Sequence, residues 1–471
     1  MKKTNLNVVQ LVVERAVCVG CGMCAGLCPA GALSMEFNAC GEYVPVENEG
    51  CIPGCKICQR CCPALGDNAN EDMLAKNLFA SLPGVHFNKT LGYHTSHFVG
   101  SAADEEERLM SASGGLGFWL LRQFLQSGMA DSIICAGRGH DQEKLFHYTI
   151  FNDLSSDTLV RGSVYYPMEC SAVIRAVLEK PGRYIIVCLP CVAKAIRLAQ
   201  KVKPVLRDRI IAVVGLVCGQ QKSKAYTNYL ASLAGTDDRI EGVRYRGKDS
   251  AHPANNFFFG LKDSSGTERR VYWREGASLA WNNHWFTLPA CNYCDDVFAE
   301  TADAVLMDAW LPNYDKDYRG TSLLLSRCSA IDTMLLEGCT RKELVLAPIP
   351  IADIVNAQDG VIKKKTSDLS YRLYKRQCRE GWSPNKRISP SKKISFFRRK
   401  EIDLLDKMQE KSRLLASSCN KKPFVVDAVQ REMQPLLQRL HVYRRFSRLE
   451  NLAYRILRKL FRRVEKRDNS T

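Results

Sequence analysis

The chain has 471 residues, 46% of them hydrophobic, and a formal net charge of +17 from 67 Lys and Arg against 50 Asp and Glu. That length fits two to four domains, and the lack of an uncharged apolar stretch of about eighteen residues argues against a membrane-spanning helix. The 21 cysteines would suit a secreted disulfide framework. However, the apolar run at 8–13 behind Met1, Lys2 and Lys3 is too short for an export signal and meets Glu14 and Arg15, so a reducing, cytoplasmic setting is expected.

In chain order the first stretch is Cys18-Val19-Gly20-Cys21-Gly22-Met23-Cys24-Ala25-Gly26-Leu27-Cys28-Pro29. C-x2-C-x2-C followed by C-x3-C-P is the bacterial ferredoxin spacing for [4Fe–4S] clusters. A tight loop aims three sulfurs at one cube, its glycines let the backbone approach, and the Cys before Pro serves a second cluster. A partner stretch follows with Cys51, Cys55, Cys58 and Cys62-Pro63. Cys51 lies one residue too far out, so a small bulge is expected at Pro53-Gly54. The expected ligands are Cys18, Cys21, Cys24 and Cys62 for one cluster, and Cys28, Cys51, Cys55 and Cys58 for the other. C-x2-C also suits zinc, but two interlocking triplets, each closed by Cys-Pro, favour iron–sulfur. Residues 1–66 are thus expected to form a small two-cluster ferredoxin-like α+β domain, with the stretch 67–90, polar and acidic at its start, as a linker.

Beyond it, apolar runs alternate with helical patterns. Strands are expected at 97–100, 132–136, 184–187, 210–215 and 303–307, and helices at 117–126, 171–179, 192–201 and 222–233. Such alternation implies an α/β body built on a mostly parallel sheet covered on both faces. In open α/β sheets ligands bind beyond the carboxyl ends of the strands. Cys188 and Cys191, Cys218, and Asp308 all follow strands, and Cys291 and Cys294 lie just upstream of one. These thiols are placed to converge on one metal site, although cysteine is also an ordinary buried apolar residue. Ser113-Gly114-Gly115 ahead of a helix favours an anion such as a phosphate.

Taken together, these segments resemble the family of coenzyme F420 hydrogenase/dehydrogenase beta subunits, in the form with an N-terminal two-cluster ferredoxin domain. The resemblance spans roughly residues 15–330. It is carried by Ser113-Gly114-Gly115, 161–165, Leu189-Pro190-Cys191, 215–219, 289–294, Asp303, 308–310 and 319–322. It implies an iron–sulfur flavoprotein oxidoreductase that binds FAD and passes electrons between its clusters and a two-electron partner molecule. It also implies a third [4Fe–4S] cluster on Cys191, Cys218, Cys291 and Cys294, and cofactor contacts at Ser113, Gly114, Gly115, Arg161, Gly162 and Ser163. Cys188 and Val164 depart from the family pattern, which has Gly and Lys there. The implied layout places N-terminal-like and C-terminal-like F420 beta-subunit domains at 91–175 and 176–345.

The charge is unevenly spread. Residues 361–471 hold 31 Lys and Arg against 11 Asp and Glu, leaving 36 against 39 in the rest. Residues 346–471 are expected to form a basic helical tail, with helices at 401–416 and from 425 to about 467. An apolar stripe from Leu449 to Val464 on the second helix points to an anionic membrane surface at the inner face or to a partner protein, and equally to a solvated helix packed on the body of the protein. Nucleic acid is not expected, because no recognised module accompanies the charge. Arg161, Arg244, Arg246 and Lys248 are available for an anionic cofactor or substrate, or serve as surface charge. The alternative to an enzyme is an electron-transfer subunit without its own substrate site that docks a redox partner.

Overall fold

The computed structural model describes residues 6–66, 68–141, 144–236, 240–418 and 425–468, without the side chains of 140–141 and 451–468. In the N-terminal unit two single-turn helices, α1 (Met23–Gly26) and α2 (Ile57–Arg60), flank an antiparallel hairpin of β1 (Leu33–Phe37) and β2 (Tyr43–Glu47). Val8, Val12, Val17, Ala25 and Leu33 form its small core. The described part of the expected linker 67–90, residues 68–90, is built into the molecule. Asn70 caps α3 (Glu71–Phe79) by accepting from Met73 N–H at 3.0 Å, and Leu74, Ala75 and Phe79 are buried. A short hairpin, β3 (His86–Asn88) with β4 (Gly92–His94), follows.

Next in the chain come β5 (Ser96–Ala102), α4 (Glu105–Met110), α5 (Leu116–Gln126), β6 (Ser132–Asp141), β7 (Lys144–Phe151), α6 (Ser171–Glu179), β8 (Tyr184–Cys188), α7 (Pro190–Val202), α8 (Val205–Arg209), β9 (Ile210–Leu216) and α9 (Lys224–Ala234). A separate three-stranded sheet contains β10 (Ile240–Gly247), β11 (Phe258–Asp263) and β12 (Glu268–Tyr272). After α10 (Ser278–Asn282) the main sheet resumes with β13 (Ala304–Asp308), β14 (Ser322–Ser326), α11 (Ser329–Thr340) and β15 (Leu344–Pro348).

The main sheet runs β15-β5-β14-β13-β9-β8-β6-β7. Its four central strands β13, β9, β8 and β6 are parallel, and every pairing outside them is antiparallel. The expected parallel sheet is therefore the centre of a mixed one. Two residues separate β6 from β7, a connection that allows only antiparallel pairing. The central strands read as unbroken apolar runs because helices cover both faces: Ile185 and Ile186, adjacent on β8, are both fully buried.

In the C-terminal region the structure follows the packed alternative rather than a free tail. α12 (Ile351–Ala357), α13 (Asp359–Lys365), α14 (Ser367–Glu380), α15 (Phe396–Ser418) and α16 (Val426–Asp468) are not a separable tail. Leu405, Met408, Met433 and Leu440 share one core with Tyr229, Phe259 and Trp285 of the body. The basic residues are partly consumed in internal pairs: Arg372 with Asp406 at 2.8 Å, Arg398 with Asp368 at 2.5 Å, and Arg413 with Glu42 of the N-terminal unit at 2.7 Å. Charge counting could not foresee this, because it does not distinguish a solvated cation from one facing a buried carboxylate. The apolar stripe from Leu452 to Val464 lies outside the described side chains.

Candidate functional site

Three groups of thiols occur along one route through the molecule. In the first, Cys18, Cys21, Cys24 and Cys62 feel one another's charge and line a single small cavity walled by Val8, Val12 and Met35. Burial, reinforced by the neighbouring thiols, pushes the Cys18 thiol up to about 12 and Cys62 up to about 11. The loop lies flat on the start of α6. Gly22 has φ +76°, and a Cβ there would collide with the Glu169 carboxylate and approach Cys170 N to 3.0 Å. Cys170 Sγ donates to Cys21 O at 2.7 Å across the same contact. In the second group Cys58 has Cys55 and Cys28 as neighbours, and Cys51 is exposed. A tight turn with Gly54 at φ +81° separates Cys51 from Cys55, and Cys55 N–H donates to Ile52 O at 3.1 Å.

The third group is assembled from three places. Cys191 sits in the first turn of α7, Cys218 in the loop after β9, and Cys291 and Cys294 on a 3-10 turn, Pro289–Tyr293, and the residue following it. Cys191 feels the charge of Cys294, Cys218 and Cys291, and also that of Cys21 in the N-terminal unit. Burial pushes Cys218 up to about 12. Cys188, in contrast, ends β8 facing Arg197 and Asp303. A cavity lined by Val19, Pro63, Glu71, Cys191, Lys194 and Cys294 lies where the N-terminal unit meets two thiols of the third group.

Two lysines from α13 enter the third group. Lys365 Nζ donates to Cys294 Sγ at 3.1 Å and to Asp296 O at 2.5 Å, while Lys364 Nζ donates to Gln220 Oε1 at 2.9 Å. Burial opposes the charge on Lys365, but the sulfurs of Cys294 and Cys218 and the Asp296 carboxyl beside it raise its proton affinity. Sequence reading missed both lysines because Lys363-Lys364-Lys365 looks like ordinary surface charge.

The residues expected to contact a flavin divide between two places. The Ser113–Gly115 loop is fastened to β14: Ser113 Oγ donates to Thr321 O at 2.7 Å, and Gly114 N–H to Ser322 Oγ at 2.9 Å. A Cβ on Gly114 would sit 2.6 Å from Gly100 O, so only glycine fits. Lys248 Nζ donates to the carbonyls of Ser113 (2.6 Å), Arg319 (2.5 Å) and Arg108. Arg246 holds Asp308 through both carboxylate oxygens at 2.8 Å. It does so with φ +135° at a bulge in β10, a strained backbone that the ion pair stabilises. Tyr165 joins Arg246 and Ser163. Arg161 stands elsewhere, its guanidinium 4.3 Å from the Phe118 ring centre in an open cavity along α5.

The chemistry of these donor sets fits iron–sulfur clusters. Buried thiols facing one another stay protonated on their own, and only bound metal lets them ionise together.

Residues 97–175 match the coenzyme F420 hydrogenase/dehydrogenase beta subunit N-term and residues 182–351 its C terminus, together more than half the chain. The chain belongs to the family of coenzyme F420 hydrogenase/dehydrogenase beta subunits. Residues 11–34 match a 4Fe-4S binding domain, so this member carries an electron-transfer module within an oxidoreductase framework. One of the subunits of the F(420)H(2) dehydrogenase from Methanosarcina mazei is 23% identical over 214 residues, 44% of this chain and 54% of the relative. The chain thus spans about half the length of that curated relative. An uncharacterised ferredoxin from Methanocaldococcus jannaschii is 38% identical over 55 residues, 12% of this chain and 70% of the ferredoxin. A chain in the xenon-derivatised F420-reducing [NiFe] hydrogenase complex from Methanosarcina barkeri aligns with TM-score 0.47 and 17% identity, covering 62% of this chain and 96% of that one. The match to the family ends at residue 351, so α13 to α16 and both lysines lie beyond it.

Proposed function

We propose that this protein is an iron–sulfur flavoprotein that passes electrons between two N-terminal [4Fe–4S] clusters, a third cluster in the body, and FAD serving a two-electron donor or acceptor. The observation that carries this reading is the gathering of Cys191, Cys218, Cys291 and Cys294 from separate elements, next to Cys21 of the ferredoxin unit. Clusters of this type move electrons singly and a flavin exchanges them singly or in pairs. The chain's own residues do the positioning. Gly22 lets the first loop lie against α6, and the C-terminal helices clamp the N-terminal unit: Arg413 holds Glu42, and Arg376 donates to Arg15 O at 2.6 Å. For the flavin, Ser163, Tyr165, Arg246 and Lys248 gather near the ends of β10 and β13, where Arg246 orders Asp308 and Lys248 ties down the wall formed by Ser113, Gly114 and Gly115. Arg161 and Gly162 complete the set if the cofactor extends toward α5.

The relatives' names, which include one component of a dehydrogenase and one hydrogenase complex, favour a second reading in which the chain hands electrons to a partner protein and has no substrate site of its own. The far end of α16, with Arg455, Arg458, Lys459, Arg462 and Arg463, is the segment we assign to association, with a partner protein first and an anionic membrane surface second. No helix among the described residues is long and apolar enough to cross a membrane. The deciding experiment is anaerobic purification with iron, sulfide and flavin quantified per chain. About twelve irons and one flavin are expected; about eight irons and no flavin would reject the third cluster and FAD together. Reduction of a small-molecule acceptor by the isolated chain separates the enzyme from the docking component.

A further inference from the structure

Lys365 is the last residue of α13 and only 2% exposed. A buried ammonium is costly unless an anion balances it. Among the described residues no carboxylate oxygen lies within 4.0 Å of its Nζ; its two contacts are the Asp296 carbonyl and Cys294 Sγ at 3.1 Å. The side-chain atom it touches is therefore the Cys294 sulfur, with the Asp296 carboxyl farther off as its nearest acidic neighbour. The chain fixes the lysine in place. Lys364 ties the end of α13 to Gln220, and the neighbouring Gln221 N–H donates to Cys291 Sγ at 3.2 Å. Two of the four thiols thus each receive one N–H bond, one from a neutral amide and one from a full positive charge. In the first thiol group the hydrogen bonds to sulfur come from backbone amides, Gly20 N–H to Cys18 Sγ at 3.4 Å among them, and Lys194 acts on Cys62 through charge without a hydrogen bond to it. Hydrogen bonds and charge at ligand sulfurs are among the means by which a protein sets cluster potential: they stabilise the form holding the extra electron.

We propose that Lys365 is a positioning residue that raises the reduction potential of the group held by Cys191, Cys218, Cys291 and Cys294, favouring residence of the electron in the body over the ferredoxin unit. This rests on the reading of those four thiols as a cluster site. Nothing covalent is formed or broken; the lysine changes only the energy of the added electron. Because Lys365 lies beyond the family match, the device belongs to this chain's C-terminal region.

The test uses the full-length chain purified anaerobically and titrated electrochemically with EPR detection. The signal of the third site is the one lost in the Cys291→Ser/Cys294→Ser variant. Lys365→Met should move that signal's midpoint to more negative potential by 59 mV or more, about tenfold in the ratio of reduced to oxidised sites for a one-electron couple. Iron content and the other two signals should stay unchanged. Lys365→Arg, which keeps the charge, should remain near the wild-type midpoint. A full iron complement in Lys365→Met with an unmoved midpoint overturns the proposal. Should Lys365→Met lose iron, Lys365→Gln carries the measurement: it keeps a donor without the charge, and an unmoved midpoint there overturns the proposal equally. If the double cysteine variant keeps all its iron, the cluster assignment fails and takes the proposal with it, a result distinct from an unmoved midpoint.

Discussion

The first and third thiol groups solve one problem in two ways. Cys18, Cys21 and Cys24 are brought together by one loop, so a dozen residues contain nearly all the information the site needs. Cys191, Cys218, Cys291 and Cys294 come from the ends of β8 and β9 and from a distant turn, and meet only when the sheet is complete and α13 has closed over them. The local site is portable, while the assembled one depends on the whole body. The ferredoxin relative agrees with this view, since 55 residues amount to 70% of that protein.

The harshest way to break the comparison is to delete residues 359–471. This removes the buried side chains of Leu369, Leu373, Ile402, Leu405 and Met408. Each such loss is worth about 2–5 kcal/mol, against a total stability of about 5–15 kcal/mol. The body should therefore fail to fold, measured as loss of soluble, cooperatively melting protein. A 1–66 fragment should still bind about eight irons. If the truncated chain melts cooperatively with its full iron, the C-terminal helices are an appendage after all.

Next in size is the Cys291→Ser/Cys294→Ser variant, expected to lose about four irons per chain and keep the ferredoxin signals, whereas Cys55→Ser should remove only the second N-terminal cluster. Iron analysis with EPR reads both. A smaller effect is expected at the clamp between the two regions. Arg413→Ala leaves the buried Glu42 carboxylate without its bidentate partner, at 2.7 and 2.9 Å, and should cost about 1–3 kcal/mol in denaturant unfolding. It should also speed proteolysis between the ferredoxin unit and the body.

The smallest effect is one of pH. Burial, joined by the Asp296 charge and opposed by Arg387, lifts Glu300 from 4.5 to about 7. A carboxyl whose folded value lies above its unfolded one holds its proton more tightly in the native state. Its contribution is therefore present below about 4.5 and is lost as pH rises toward 7. Relative to wild type, Glu300→Gln should gain about 1–3 kcal/mol between those limits and change little below them. Parallel stability curves for the two proteins across pH 4.5–7 would show that Arg387, 2.9 Å away, keeps the carboxylate ionised throughout.

Local pattern made much of this protein legible. The cysteine spacing named the ferredoxin unit, and the turn at Gly54 takes up the extra residue before Cys55. The central strands and α6 lie where apolar periodicity placed them, because unbroken runs such as Tyr184-Ile185-Ile186-Val187 have no stable place except a doubly covered sheet. The antiparallel flanks were not legible. A five-residue apolar strand such as β14 carries no mark of its direction, which is set by which neighbour it meets. The three-stranded sheet β10–β12 was missed because Arg, Gly and Glu interrupt its alternation.

By itself, then, the sequence determined what depends on neighbours along the chain: the two interlocked thiol loops, the α/β centre, the family motifs and the count of basic residues. Tertiary structure alone decided what depends on neighbours across space. It brought Cys191 of the third thiol group near Cys21 of the first, and it gave Arg161 and Ser163 different neighbours, Phe118 and Tyr165. It also turned a basic tail into a clamp with Arg413 on Glu42 and Lys365 on Cys294. The physical reason is that spacing is a local property, whereas the environment of a charge is set by whatever the completed fold packs against it. A lysine reads the same in sequence whether it meets water or a buried sulfur.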